Sequence, residues 1–283
     1  MFLGDDFLLD TPTAVTLYHD YAANAPILDY HCHLPPVEIA ENRRFSSITE
    51  LWLGGDHYKW RAMRANGVPE RLVTGDGDDL EKFRAWAATL PAAIGNPLYQ
   101  WAHLELRRFF GIEEVLSPST ADRIYERCNE LLATEEFRAR SLMKRMGVRG
   151  VCTTDDPADD LAYHDALAEE AGFDIPVLPA FRPDKAFKTG EPDAWNGWVD
   201  TLAAAADLDI GDYDALLRAL EKRMAFFHER GCRTSDHGLR APFPLGDDGH
   251  ASRVFSSARS GNGVSGHDAE LFAGNVLRKL GEM

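Results

Sequence analysis

The chain has 283 residues, 45% of them hydrophobic, and a formal net charge of −16 at pH 7. That length and apolar content can bury a sizeable core as one large domain or two smaller ones, and an acidic surface without a Lys/Arg-rich block argues against nucleic acid or anionic membrane as partners. An anionic substrate would be repelled at long range, so it would have to be received by a local arginine cluster inside a pocket.

The opening stretch Met1-Phe2-Leu3-Gly4-Asp5-Asp6 carries acids where a secretory signal carries bases, and no uncharged apolar run approaches the length of a membrane span. A cytoplasmic location is the simplest reading. Cys32, Cys128, Cys152 and Cys232 are far apart and form no Cys-x-x-Cys pair. They read as reduced thiols in packed elements rather than as a disulfide framework, and none is a strong nucleophile candidate.

Asp10-Thr11-Pro12-Thr13 is a helix-start signal, and apolar residues at helical spacing from Ala14 to Ala22 predict a short helix. The apolar run at Ile27-Leu28 leads into Asp29-Tyr30-His31-Cys32-His33, which Pro35-Pro36 stops. On a strand end, His31 and His33 would point the same way and Cys32 the other, and two adjacent neutral imidazoles suit a divalent transition metal. The plain alternative is two polar rings capping a strand. From Pro36 to about Gly147 the pattern is helical, with breaks at Gly54-Gly55, Gly75-Asp76-Gly77 and Gly95-Asn96-Pro97. Trp52, Trp60, Trp86 and Trp101 within it are expected in a core.

From Val148 the texture changes. Strands are predicted over Val148–Thr154, Ile175–Phe181 and Cys232–Gly238, and helices over roughly Pro157–Ala171, Trp195–Ala206, Tyr213–Arg230 and beyond Asp247. Strand and helix in alternation give right-handed βαβ units and a parallel sheet. Polar residues close each strand, and carboxyl ends of parallel strands are where such folds place their sites. His31/His33, Asp155/Asp156, Arg182/Asp184/Lys185 and Asp236/His237 are therefore expected at one mouth. Four strands are half of a closed barrel. The expected architecture is an α/β partial (β/α)₈ TIM-type barrel with a large α-helical insertion after the first strand. Its parts are the N-terminal helix and first strand (1–35), the insertion (36–147) and further β/α units (148–283), with an incomplete C-terminus.

Six stretches taken together resemble the uronate (glucuronate) isomerase family, a divergent branch of the amidohydrolase superfamily. They are Asp29–Leu34, Gly55–Arg61, Asn96–Tyr99, Thr153–Pro157, Arg182–Lys185 and Gly231–Gly238, in the family's order. The resemblance covers essentially the whole chain and implies a (β/α)₈ barrel that interconverts D-glucuronate with D-fructuronate and D-galacturonate with D-tagaturonate. It further implies that His31 and His33 bind a divalent metal, zinc being the usual one. His57 and Tyr58 would reach over the pocket from the insertion and, with His237, serve catalysis. Arg182 would meet the sugar acid's carboxylate, with Asp184 and Asp236 among the substrate-binding residues. The family's chains run beyond Met283, and their late strands bring an aspartate metal ligand and a further arginine.

An aldose–ketose isomerisation passes through an enediol and needs a base near C2, a proton return at C1 and stabilisation of an oxyanion. The expected partner is a small hexuronate, with a homo-oligomer also open. Each assignment has a structural rival. Arg182 could pair with Asp184 or Asp156, one of Asp155 and Asp156 could cap a helix, and His103, His164 and His228 are read as structural. Rival functions are a metal-dependent hydrolase of the same superfamily and an inactive isomerase fragment.

Overall fold

A computed structural model describes residues 3–239 and 241–283; Met1 and Phe2 of the acidic opening stretch lie outside them. In chain order the first helices are α1 (Pro12–Leu17), α2 (Pro36–Ala40), α3 (Ile48–Leu53), α4 (His57–Ala65), α5 (Asp79–Thr89), α6 (Pro97–Phe110), α7 (Ala121–Leu132) and α8 (Ala139–Arg145). The later ones are α9 (Ala162–Glu169), α10 (Pro192–Ala206), α11 (Tyr213–Glu229), α12 (Asp248–Arg259) and α13 (Gly266–Glu282). The strands are β1 (Ile27–Asp29), β2 (Val148–Cys152) and β3 (Val177–Leu178), in the spatial order β1-β2-β3.

Two compact units result. One runs to Ile27 and resumes over Glu41–Val148, and the other comprises Leu28–Ala40 and Arg149–Met283. Helix starts in the first unit sit where the sequence signals lie. The Thr11 hydroxyl accepts from the Ala14 N–H at 3.1 Å, with Pro12 at the first helical position, and α1 then loosens into a π-helical turn over Tyr18–Ala22. Asp78 and Glu81 close a reciprocal capping box on α5. Asn96 caps α6 ahead of Pro97, and Gly111 ends that helix in the left-handed conformation (φ 67°) that a glycine adopts without penalty.

The core of this unit holds Phe83, Trp86, Ile48, Met63 and Leu106, with Trp52 buried beside them. The indole N–H of Trp60 donates to the Leu53 carbonyl at 2.7 Å. Trp101 departs from the expected pattern and is 54% exposed. His103 is structural, as expected. One ring nitrogen lies 2.5 Å from the Tyr99 carbonyl, the other accepts from the Leu116 N–H at 3.0 Å, and burial lowers its pKa.

The second unit is α/β. β2 and β3 pair in parallel, Val151 opposite Val177 and Cys152 opposite Leu178. β3 is short because Pro176 and Pro179 flank it, and neither has an N–H to give the ladder; Pro176 contributes only its carbonyl, which accepts from Val151 at 3.0 Å. Single parallel bridges carry the pairing onward, from Asp155 to Phe181 and from Phe181 to Ser235. The strand expected over 232–238 is thus no more than that bridge, made by Phe181 N–H to the Thr234 carbonyl and Asp236 N–H to the Phe181 carbonyl, both at 3.1 Å. The helix expected from Pro157 begins only at Ala162, after a turn in which the Asp156 carboxylate accepts from the Ala158 N–H. Helices α10 to α13 bury one apolar cluster around Trp195, Phe227, Phe255 and Phe272. No helix among the described residues is long and apolar enough to cross a membrane.

Candidate active site

β1 stops at Asp29, so His31 and His33 follow the strand rather than end it, yet the ladder geometry persists beside them: the Cys32 N–H donates to the Cys152 carbonyl at 2.8 Å, and the Thr154 hydroxyl to the Cys32 carbonyl at 3.1 Å. Tethering Cys32 on both sides leaves the flanking imidazoles on a common side. Their Nε2 atoms lie 3.0 Å apart, with ring planes at 79°.

That separation is a test of fit for a metal. Two imidazole nitrogens each about 2.05 Å from one ion lie about 2.9 Å apart at a right angle and about 3.4 Å apart at the tetrahedral angle. The observed distance falls between these limits, so His31 and His33 fit as two ligands of a divalent ion. Among the described residues no group of three or more His, Cys, Asp or Glu is placed to hold one.

The segment after β3 and the segment around the Ser235 bridge bring the remaining second-unit candidates together. Arg182 Nε donates to Asp184 Oδ2 at 3.0 Å, and its Nη1 lies 3.1 Å from Asp236 Oδ2. Asp236 Oδ1 faces His31 Nδ1 at 3.6 Å, and His237 Nδ1 faces Asp184 Oδ1 at 3.8 Å. Both separations exceed hydrogen-bond length. Asp184 Oδ1 and His237 Nδ1 are shielded from water and lack a hydrogen-bond partner, while Asp236 Oδ2, equally shielded, meets the Arg182 guanidinium as an ion pair. Of the two ion pairs considered for Arg182, the structure forms the one with Asp184 and adds Asp236; Asp156 instead pairs with Lys185 at 3.3 Å and accepts from the Trp198 indole at 2.8 Å.

Gly238 belongs to this cluster too, through its backbone. Its N–H donates to Asp184 Oδ2 at 2.9 Å, and a Cβ there would come within 2.7 Å of Arg182 Nη2. Its place directly after His237 was the available signal. An apolar cavity of about 360 Å³, lined by Met224, Leu277 and Leu280, touches the cluster only through His237.

A second carboxylate–histidine group lies at the end of β2. Asp155 Oδ2 accepts from the Thr153 hydroxyl at 2.7 Å and the Ala180 N–H at 3.2 Å, while His164 Nε2 lies 2.8 Å from the same hydroxyl. Burial raises the Asp155 pKa against the pull of those two hydrogen bonds, and burial lowers that of His164. His164 is structural, as expected.

His57 and Tyr58 occupy the first turn of α4 in the helical unit, both exposed, with ring centroids 4.3 Å apart. The turn is held by Asp56, whose Oδ1 accepts from the Tyr58 and Lys59 N–H groups at 2.9 and 3.1 Å. Asp56 Oδ2 meets the buried Lys59 ammonium at 2.5 Å, and the Arg61 guanidinium lies over the Tyr58 ring. Burial opposes ionisation of Asp56, but the Lys59 hydrogen bond and charge outweigh it and lower its pKa.

All four cysteines are free thiols, as expected. Burial raises the pKa of each, that of Cys128 to about 12.

A family model described as glucuronate isomerase matches residues 1–283. The chain belongs to the glucuronate isomerase family. Uronate isomerase of Serratia proteamaculans is 60% identical over 239 residues, which cover 84% of this chain and 51% of that protein. Its counterpart in Pectobacterium atrosepticum is 52% identical over 282 residues, covering 99% of this chain and 60% of the relative. A crystal structure of uronate isomerase from Thermotoga maritima superposes with a TM-score of 0.91 at 35% identity, covering 100% of this chain and 62% of the other. The chain therefore spans about half to three fifths of the length of these curated members of the glucuronate isomerase family.

Proposed function

We propose that this polypeptide serves the aldose–ketose isomerisation of hexuronates, D-glucuronate to D-fructuronate and D-galacturonate to D-tagaturonate, on a (β/α)₈ barrel framework to which its parallel strands belong. The observation that carries this reading is the convergence of the His31/His33 pair with Arg182, Asp184, Asp236 and His237 in the family's own sequence frame. Family membership favours isomerisation over hydrolysis.

His31 and His33 would hold the divalent metal, zinc in this proposal, which when bound supplies Lewis acidity toward a substrate oxygen. The remaining steps fall to the chain's own groups. Asp184 and Asp236, fixed by Arg182, orient the sugar's polar groups so that the C1–C2 segment is presented in one pose. His237, whose Nδ1 makes no hydrogen bond within the fold and faces only Asp184 at 3.8 Å, can hold a proton or give one at a substrate oxygen. His57 and Tyr58 are the further acid–base candidates, since both rings are exposed and both residue types can hold and return a proton.

The test is to purify the 283-residue chain with zinc, measure its metal content and follow D-glucuronate conversion to D-fructuronate. Turnover that tracks bound zinc is the expected result. Stoichiometric zinc with neither turnover nor D-glucuronate binding would overturn the reading.

A further inference from the structure

Lys59 sits where a lysine rarely does. It lies in the first turn of α4 and is only 8% exposed, with its ammonium turned inward against Asp56 Oδ2 at 2.5 Å and toward the Trp52 ring at 5.9 Å. The Trp52 indole N–H in turn hydrogen-bonds the Glu105 carboxylate, which also feels the Lys59 charge. Burial outweighs the pull of Lys59 at Glu105 and is outweighed by it at Asp56, so Asp56 holds the ammonium more closely.

Helix formation does not require this arrangement. Asp56 Oδ1 alone accepts from the Tyr58 and Lys59 N–H groups, which satisfies the cap. Burying an ammonium also costs desolvation that an apolar side chain of equal length avoids. What the clasp adds is restraint. Gly54-Gly55 links α3 to α4 with the most permissive backbone available, and a first helical turn frays readily. Lys59 fixes the second oxygen of the capping carboxylate from inside the core, between Trp52 of α3 and Glu105 of α6. His57 and Tyr58 leave the helix within that same turn.

We propose that Lys59 is a positioning residue: acting through Asp56, it sets the direction in which the His57 and Tyr58 rings leave α4. The inference rests on the isomerase reading, in which those rings are acid–base candidates, and names what aims them.

The test removes the inward charges together. Lys59→Met combined with Glu105→Gln keeps the length of the lysine, retains an acceptor oxygen for the Trp52 indole and spares the Asp56 cap, so the double variant should melt within a few degrees of the wild type. In the zinc-supplied chain kcat for D-glucuronate should fall about tenfold to a hundredfold, the scale on which an ångström of misplacement lowers a rate, while KM stays within about threefold. An unchanged kcat, or a fall in kcat that only matches a fall in folded protein, overturns the proposal. A substrate-free measurement stands beside it. Hydrogen exchange at the Tyr58 amide should quicken about tenfold in the variant with the amides of α5 unchanged, and exchange at the wild-type rate would show that the Asp56 cap holds the turn unaided and would equally overturn the proposal. Because exchange is read without substrate, it still decides how Lys59 acts if the wild type neither turns over nor binds D-glucuronate, the outcome that overturns the isomerase reading instead.

Discussion

Two groups built from carboxylate and imidazole lie beyond neighbouring strands of one small sheet, and they differ in whether their polar atoms are matched. Around Asp155 and His164 the count closes. The Thr153 hydroxyl contacts both, the Ala180 N–H adds a second hydrogen bond to Asp155 Oδ2, and Asp155 and His164 are each only 4% exposed. Around Asp184, Asp236 and His237 it does not close, and the water-shielded Asp184 Oδ1 and His237 Nδ1 have no hydrogen-bond partner. The same residue types thus serve as structure where the fold leaves no water-shielded atom without a hydrogen bond and as a site where it leaves some. An unmatched buried atom costs free energy in the free protein that a ligand can return.

The sharpest way to break the contrast is at the open end. His33→Ala should remove retained zinc, read by mass spectrometry after dialysis, while stability in the absence of metal stays close to wild type. Full zinc retention would sink the metal assignment. In the closed group, Thr153→Val keeps the shape but strips both contacts, leaving Asp155 and His164 buried with lost partners. A loss of about 2 kcal/mol in urea unfolding is expected, with an unchanged denaturant slope. Less than half that loss would mean that water enters and the group is not closed.

Gly238→Ala should cost about 1 kcal/mol, since the new methyl meets Arg182 Nη2 and Asp184 Oδ2 at 2.7 and 3.0 Å, and D-glucuronate binding should weaken with it. Equal affinity for the variant would show that the Arg182–Asp184 geometry is not what the ligand reads.

The smallest effect is a slope in pH. The ordinary pKa of His164, 6.5, is lowered by burial, so the unfolded chain binds a proton that the folded chain refuses. Stability from this source is complete above about pH 6.5 and is lost as pH falls below it. His103 acts in the same direction. His164→Gln should therefore flatten the dependence of the urea midpoint between pH 5 and 7 without abolishing it. An identical slope would place the imidazole in a wetter setting than the structure gives it.

Much of this was legible in the residues. Thr11-Pro12 and Asn96-Pro97 mark helix starts because capping and proline geometry are local, and each acts within a turn of where it is written. The His-x-His pair was legible because a spacing of two on extended chain fixes a common side. The partner of Arg182 was not. Sequence narrowed it to Asp184 or Asp156, but Asp236 reaches it only through the Phe181–Ser235 bridge, a long-range contact without a local signature. The shortness of the sheet escaped for a related reason. Cys232–Gly238 has strand-like polarity, yet a strand is made by its neighbours, and Phe181 offers a single bridging residue.

The protonated thiols carry a consequence for how the molecule meets reactive chemicals. Alkylating reagents and peroxides attack the thiolate, and with the Cys128 pKa at about 12 its thiolate fraction at neutral pH is on the order of one in a hundred thousand. Cys32, Cys152 and Cys232 are shifted the same way. The native fold should thus take up iodoacetamide far more slowly than the unfolded chain, so the rate of labelling counts opening events and makes the cysteines built-in reporters of local unfolding in both units.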